Sequence, residues 1–245
     1  MNANPDLGEI DWRVRVLYED ERLIAINKPA GVVVIPARDE PVEHALRACV
    51  AKLLGRDVWV VHRIDRDTSG VVVFAKSAEA HRALSMAFEQ RAVQKRYDAF
   101  CHWSDKLQNE MTISTPLHPA RRGKMRPALA AEEGALACET QYLVHAKREG
   151  AAWLHVKPKT GRQHQIRVHL RSIGAPLLVD SVYGGASERA ANSLGKMSPA
   201  LTRLTLHAGD LVLRAGASGE GSGLLRITAP LPQDLVALGE WMVSR

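Results

Sequence analysis

Val61-His62-Arg63-Ile64-Asp65-Arg66-Asp67-Thr68-Ser69-Gly70 runs directly into Val71-Val72-Val73-Phe74-Ala75. The second half is a short unbroken apolar run rich in β-branched residues, the pattern of a strand buried on both faces. The first half crowds polar side chains into the connection just ahead of that strand. Such a connection is a place where a rigid scaffold can hold a reactive group. A plainer reading is equally open here. Asp65, Asp67, Thr68 and Ser69 could simply bond to local backbone in an Asx or Ser/Thr turn.

Working outward, residues 14–18, 23–27 and 32–35 are strand-like, β-branched and separated by turn residues. Ala45, Leu46, Cys49, Val50 and Leu53 recur at helical spacing, which predicts a helix over 42–54 ended by Gly55. After the buried strand, Ser77 is placed to cap a second helix whose apolar stripe is Ala80, Ala83, Leu84, Ala87 and Phe88. Residues 95–103 return to strand. Residues 105–137 read as irregular and polar, with a basic cluster of Arg121, Arg122, Lys124 and Arg126. Strands follow at 139–145 and 152–158, a helix at 161–172 and a loop at 184–200. Further strands are expected at 204–208, 210–213 and 224–229, and a closing helix at 233–243. Strands outnumber helices and do not alternate with them regularly. The pattern favours an α+β domain with a mixed, mostly antiparallel sheet over a doubly wound parallel one. Residues 1–12 read as a loose leader and 13–245 as a single domain.

The chain of 245 residues is 46% hydrophobic and 24% charged, ordinary for a globular protein. It is long enough to bury a core without disulfide or metal staples. Apolar runs spread over its whole length exclude disorder as the dominant state. The longest strictly apolar runs are four or five residues, against about 20 for a membrane-spanning helix. No basic start followed by an apolar stretch marks a secretion signal. Cys49, Cys101 and Cys138 are far apart and lack metal-type spacing, so they read as reduced thiols of a cytoplasmic protein. The net charge of +6 is a mild pointer to an anionic partner such as nucleic acid. No phosphate-binding glycine loop, dinucleotide fingerprint or nucleophile elbow is present. His164 and His169 are five residues apart, which on a helix puts them on different faces, so no metal site is expected.

A second segment stands out: Lys157-Pro158-Lys159-Thr160-Gly161-Arg162-Gln163-His164-Gln165-Ile166-Arg167-Val168-His169-Leu170. A strand ends at Pro158, Thr160-Gly161 turns the chain and a helix begins. On that helix Arg167 is offset by about 100° from Ile166, at the edge of the buried face, where it could point into a cleft. From charge alone, a solvated basic helix carrying Arg162, Arg167 and Arg171 is the plainer reading.

Together these two segments resemble the RluA-type pseudouridine synthases. HRIDRDTSG with VVVFAK resembles the motif around their catalytic aspartate, and TGRQHQIRVHL resembles their later arginine motif. Further blocks match in order: Asn27-Lys28-Pro29-Ala30-Gly31, Lys95-Arg96-Tyr97, Asp180 with Tyr183-Gly184-Gly185, and Leu206-His207-Ala208. The resemblance covers roughly residues 14–230. Ile64 stands where leucine is usual, and Val179 where glycine is frequent. No S4-type RNA-binding segment precedes the motifs, so the chain resembles the short relatives that act through the catalytic domain alone.

The resemblance implies the pseudouridine synthase fold with a central RNA-binding cleft. It also implies isomerisation of specific uridines to pseudouridine in structured ribosomal or transfer RNA. Nothing is oxidised and no group is gained, so it implies no cofactor and no metal. By similarity Asp65 is the nucleophile, which must be ionised to act. A nearby guanidinium favours that form, and the matching residue is Arg167, whose fork suits a carboxylate. Tyr97 matches the tyrosine that stacks on the uracil, and its phenol is a candidate for removing the C5 proton. Arg63 matches a residue that enters the RNA where the target base has flipped out. Arg121, Arg122, Lys124, Arg162 and Arg171 are candidates for phosphate contacts, which position RNA without reading its sequence. Lys28 reads as a structural or phosphate-facing residue of its turn.

Two other functions are compatible with the sequence. One is a non-catalytic RNA-binding or RNA-folding protein on the same fold, against which the trio Asp65, Tyr97 and Arg167 argues. The other is a hydrolase that uses Asp65 to cleave a glycosidic bond and release free uracil. A monomer is expected, because no heptad or long exposed apolar pattern is visible.

Overall fold

A computed structural model describes residues 10–36, 41–104, 107–184, 201–214 and 223–244. Residues 1–9 of the leader and 185–200 of the expected loop, Gly185 included, lie outside the described residues. In chain order the first elements are β1 (Val16–Glu19), β2 (Leu23–Lys28), α1 (Leu46–Leu54), β3 (Trp59–Val60), β4 (Ser69–Ala75), α2 (Ala78–Glu89) and β5 (Gln94–His102). Then come β6 (Glu110–Ile113), β7 (Leu117–Pro119), β8 (Met125–Pro127), β9 (Thr140–Arg148), β10 (Ala151–Pro158) and α3 (Gln165–Ser172). The last are β11 (Leu206–Arg214), β12 (Leu224–Thr228) and α4 (Gln233–Val243). The fold is α+β with mostly antiparallel strand pairing, as the sequence pattern predicts.

The chain divides into two compact units, each built from two separate stretches. The first comprises Met1–Lys95 and Ala208–Pro230, the second Arg96–His207 and Leu231–Arg245.

In the first unit, every residue of β4 is buried, as its unbroken apolar run requires. It pairs antiparallel with β2, with Ile26 opposite Val72 and Lys28 opposite Gly70. β1 extends β2, and β11 lies on the other side of β4 and carries β12. Leu23, Ala25, Val71 and Val73 share a core with Ala80 and Leu84 of α2 and with Leu211, Leu213 and Ile227. α2 starts at Ser77, whose Oγ accepts the Ala80 N–H at 3.1 Å, so the sequence placed the cap correctly.

Gly70 cannot be another residue. Its φ is +117°, and a Cβ there would lie 2.2 Å from the Ala208 carbonyl oxygen. Gly70→Ala is therefore expected to cost about 3 kcal/mol or more, combining backbone strain with overpacking. A denaturant midpoint equal to that of wild type would refute this.

In the second unit β5, β10, β9 and β6 form an antiparallel run in that order. One face buries Ala99, Cys101, Tyr142, Leu154 and Val156 with Ile166 and Leu170 of α3. Elsewhere in the unit Phe100 and Ala151 pack with Leu235, Leu238 and Met242 of α4. β7 and β8 form a separate hairpin.

Four readings from sequence are corrected. Residues 32–35 are not a strand. The Val33 and Val34 carbonyls instead accept the Leu46 and Arg47 N–H groups at the start of α1, which a helix N-terminus leaves without intrahelical partners. Residues 105–137 are not irregular throughout, since they hold β6, β7 and β8. The two expected strands flanking Gly209 are the single strand β11; the glycine read as a break is a buried strand position. The helix expected from residue 161 begins at Gln165. His164 is left-handed at φ 53°, and the Gln165 Oε1 accepts the Arg162 N–H at 3.0 Å, holding residues 162–165 as a turn.

Candidate active site

Asp65 lies in the first unit, half-buried, at the head of the turn that leads into β4. The Thr68 N–H donates to its carbonyl at 3.2 Å. The next residue anchors the turn. The Arg66 carbonyl accepts the Gly31 N–H at 3.0 Å and the Lys28 Nζ at 2.7 Å. Lys28 is fully buried, and its ammonium also donates to the carbonyls of Val32 (2.7 Å) and Pro29 (2.9 Å). A buried ammonium is tolerated only when hydrogen-bonded in this way. The structural reading of Lys28 holds: it ties the early Lys28-Pro29-Ala30-Gly31 turn to the Asp65 turn. Thr68 and Ser69 are buried, and Arg63 is exposed.

His62, three residues ahead of Asp65, is tied to β4 and α2. Its ring stacks on Phe88 with centroids 4.5 Å apart. Its Nε2 accepts the Val73 N–H at 3.0 Å, so that nitrogen carries no proton. Burial pushes the His62 pKa down to about 3, and the nearby Lys95 ammonium adds to the effect. The unfolded chain takes up a proton near the ordinary value of 6.5, whereas the native state refuses it until about pH 3. The His62 contribution to stability should therefore be constant above about pH 6.5. Below that it should fall toward pH 3, at no more than about 1.4 kcal/mol per pH unit from this group. Urea midpoints at pH 7 and pH 5 test this. His62→Gln should shrink the difference between them, and an unaltered difference would remove His62 from the explanation.

Tyr97 and Arg167 belong to the second unit. Tyr97 sits on β5 opposite Val156 of β10 and packs against the core shared with α3. On the opposite face of the same strand, the Arg96 Nη1 donates to both oxygens of Asp98 at 2.9 Å, and the Trp153 Nε1 donates to Asp98 Oδ1 at 2.9 Å. Arg167 is 4% exposed, so the solvated-helix reading does not apply to it. Its Nε and Nη2 donate to Asp180 Oδ2 (2.8 Å) and Oδ1 (2.7 Å), and its guanidinium carbon lies 5.1 Å from the Tyr183 ring centroid. Asp180 Oδ1 also accepts the N–H groups of Val182 (2.9 Å) and Tyr183 (3.0 Å). Burial works to raise the Asp180 pKa. The Arg167 hydrogen bonds and charge, with the two backbone donors, overcome it and hold the carboxyl below its ordinary value.

Asp180 is thus a site residue to which sequence reasoning gave no role. The matching Asp180 and Tyr183-Gly184 block was the available signal. Gln165 is a second. It joins Thr160, Thr140 and the Glu139 carbonyl in a buried network at the start of α3. His169 is bonded to Thr140 Oγ1 and the Thr115 carbonyl in the core, a structural position.

The basic residues separate. Arg121, Arg122 and Lys124 are exposed at the β7–β8 turn, where Gly123 accepts Gln163 Nε2 at 3.1 Å. That contact brings the turn to the start of α3, beside exposed Arg162. Lys124 Nζ donates to the Val182 carbonyl at 3.2 Å. Arg126 is braced by Glu132. Arg171 is exposed in the last turn of α3. Among the described residues no group of side chains has the makings of a metal site, and no helix is long and apolar enough to cross a membrane.

Residues 22–172 match the family model described as RNA pseudouridylate synthase. The chain belongs to that family. It is 36% identical over 235 residues to the "Ribosomal large subunit pseudouridine synthase D" of Nitrosomonas europaea, covering 92% of this chain and 64% of that protein. It is 38% identical over 172 residues to the "Dual-specificity RNA pseudouridine synthase RluA" of Vibrio cholerae, covering 69% of this chain and 68% of that one. The solved structure of human "RNA Pseudouridylate Synthase Domain Containing 4" superposes with a TM-score of 0.73 at 24% identity, covering 94% of each chain. That likeness establishes the pseudouridine synthase fold. The family match spans Asp65, Tyr97 and Arg167 together.

Proposed function

We propose that this pseudouridine synthase homologue isomerises specific uridines in structured RNA, ribosomal RNA and/or transfer RNA. The observation that carries the reading is the single family match spanning Asp65, Tyr97 and Arg167. Relatives named for the large ribosomal subunit favour ribosomal RNA. Residues 13–245 act as one catalytic domain, as a cytoplasmic monomer.

In this reading the target uridine leaves its stack at a cost of a few kcal/mol, and Arg63 fills its place. The Asp65 carboxylate attacks C1′, or stabilises the cation formed there, as the C1′–N1 bond breaks. The uracil turns on the face of Tyr97, C5 bonds to C1′ and Asp65 is released. The proton lost from C5 is balanced by one gained at N1, so the product is an isomer. Arg167 is the positively charged member of the trio. Lys28 keeps the Asp65 turn in place through the Arg66 carbonyl.

Arg121, Arg122, Lys124, Arg162 and Arg171 contact phosphates. Arg122→Ala should weaken RNA binding modestly and reduce the slope of log affinity against log salt by about one. Unchanged affinity and slope would take the β7–β8 turn off the RNA surface.

The direct test incubates the protein with total RNA from a strain lacking its gene and maps pseudouridine at single-nucleotide resolution. New sites establish the activity and name the substrate. RNA binding with no new site in either RNA class would favour the binding-only reading.

A further inference from the structure

Tyr183 touches two things that the proposed reaction needs, and it touches them with different parts of its side chain. Its ring lies beneath the Arg167 guanidinium, 5.1 Å from centroid to carbon. Its hydroxyl accepts the N–H of Met125, the first residue of β8, at 2.8 Å. The same hydroxyl is hydrogen-bonded to His164 Nδ1, also at 2.8 Å. Tyr183 is 4% exposed and packs with Leu117, Met125 and Val168. The basic turn ends immediately before Met125, with Arg121 and Arg122 exposed and Arg122 left-handed at φ 58°.

Packing does not require the hydroxyl. Phenylalanine would fill the same apolar cluster and offer the same ring face to the guanidinium. A buried hydroxyl is costly unless paired, and here its partners are the hairpin backbone and the turn ahead of α3. Two further hydrogen bonds at this end of the hairpin, Lys124 Nζ to the Val182 carbonyl and Gln163 Nε2 to the Gly123 carbonyl, come from long exposed side chains. Such bonds fix geometry weakly, because they must hold flexible chains against water.

We propose that the Tyr183 hydroxyl is a positioning group for RNA recognition. It pins the basic β7–β8 turn in register with the Arg167–Asp180 pair, so that phosphate contacts at the turn are set relative to the chemistry. This inference rests on the function proposed above, and its test separates the two.

The test is Tyr183→Phe in the full chain, with a ribosomal RNA fragment containing a mapped target site. KM should rise about 5- to 10-fold, the effect of losing one buried hydrogen bond. The kcat should change by less than about twofold, and the melting temperature should fall by about 2–4 °C, because the buried Met125 N–H loses its acceptor. Amide exchange across residues 117–127 should speed up by a similar factor. Arg122→Ala should cost less affinity in the Tyr183→Phe background than in wild type, because a loosened turn no longer places that arginine. Tyr183→Leu, which also removes the ring from Arg167, should lower kcat as well. Wild-type KM and wild-type exchange in Tyr183→Phe would overturn the inference, as would a fall in kcat at constant KM. If the wild type forms no pseudouridine in any RNA, the proposed function fails. The exchange experiment would then still decide whether the hydroxyl pins the turn.

Discussion

Asp65→Asn is expected to abolish pseudouridine formation while the protein stays folded and still binds RNA. The substitution changes one oxygen to an amide of the same shape. The turn bond at this residue, from Thr68 N–H to the Asp65 carbonyl, is made by backbone and survives. The Lys28 ammonium, which fixes the following residue through its carbonyl, is likewise untouched. An amide, however, is neither a nucleophile toward C1′ nor a stabiliser of positive charge there. Turnover should fall about 10³-fold or more, the scale on which loss of a nucleophile is felt. Single-turnover assays with the mapped RNA, alongside melting and binding curves, check all three parts. Normal turnover would remove Asp65 from the nucleophile role. Free uracil released by the wild type, in place of pseudouridine, would point instead to a glycosidic hydrolase.

Asp180→Ala is expected to be among the most destabilising single changes in the second unit. Both partners of the Arg167–Asp180 pair are nearly inaccessible to solvent. Removing the carboxylate strands a buried guanidinium and frees the Val182 and Tyr183 N–H groups it also receives. Breaking a buried pair on one side costs about 3–5 kcal/mol. Replacing both residues with leucine should cost far less, since no charge is left without a partner. Chemical denaturation of the two singles and the double gives the cycle, and an Asp180→Ala midpoint matching wild type would refute the argument. The pH dependence has a definite sign. The native pKa of Asp180 lies below that of the unfolded chain. Its contribution is therefore complete above the ordinary carboxylate range and is lost as pH falls through the lowered native value.

What the sequence revealed and what it hid divide by the distance between interacting residues. β4 was legible because seven consecutive buried positions need no partner to be recognised. The start of α2 was legible because Ser77 and Ala80 are three residues apart. The 32–35 segment misled because its carbonyls serve α1 instead of a strand, a choice made by tertiary structure. Asp180 could be quoted from a motif, but its role depends on Arg167, 13 residues earlier. The Tyr183 hydroxyl bonds a backbone group 58 residues away, and no local periodicity encodes that contact. The α3 boundary slipped because Gln165, a good helix former, spends its side chain capping the turn ahead of it. The candidate trio came from resemblance, whereas the geometry supplied what Lys28 and Asp180 bind: the Arg66 carbonyl next to Asp65, and the Arg167 guanidinium.

The order of the chain through the two units bears on how the protein is made. The first unit needs Ala208–Pro230 to supply β12 and most of β11, and the second needs Leu231–Arg245 to supply α4. Synthesis runs from the N-terminus at about 5–20 residues per second, so each unit waits for its last piece until most of the chain exists. A nascent chain stalled before residue 208 would expose apolar surface from β4 and α2 on one side of the division and from Phe100 and Trp153 on the other. Ribosome-bound intermediates of this protein should therefore carry that apolar surface until residues 208–245 emerge.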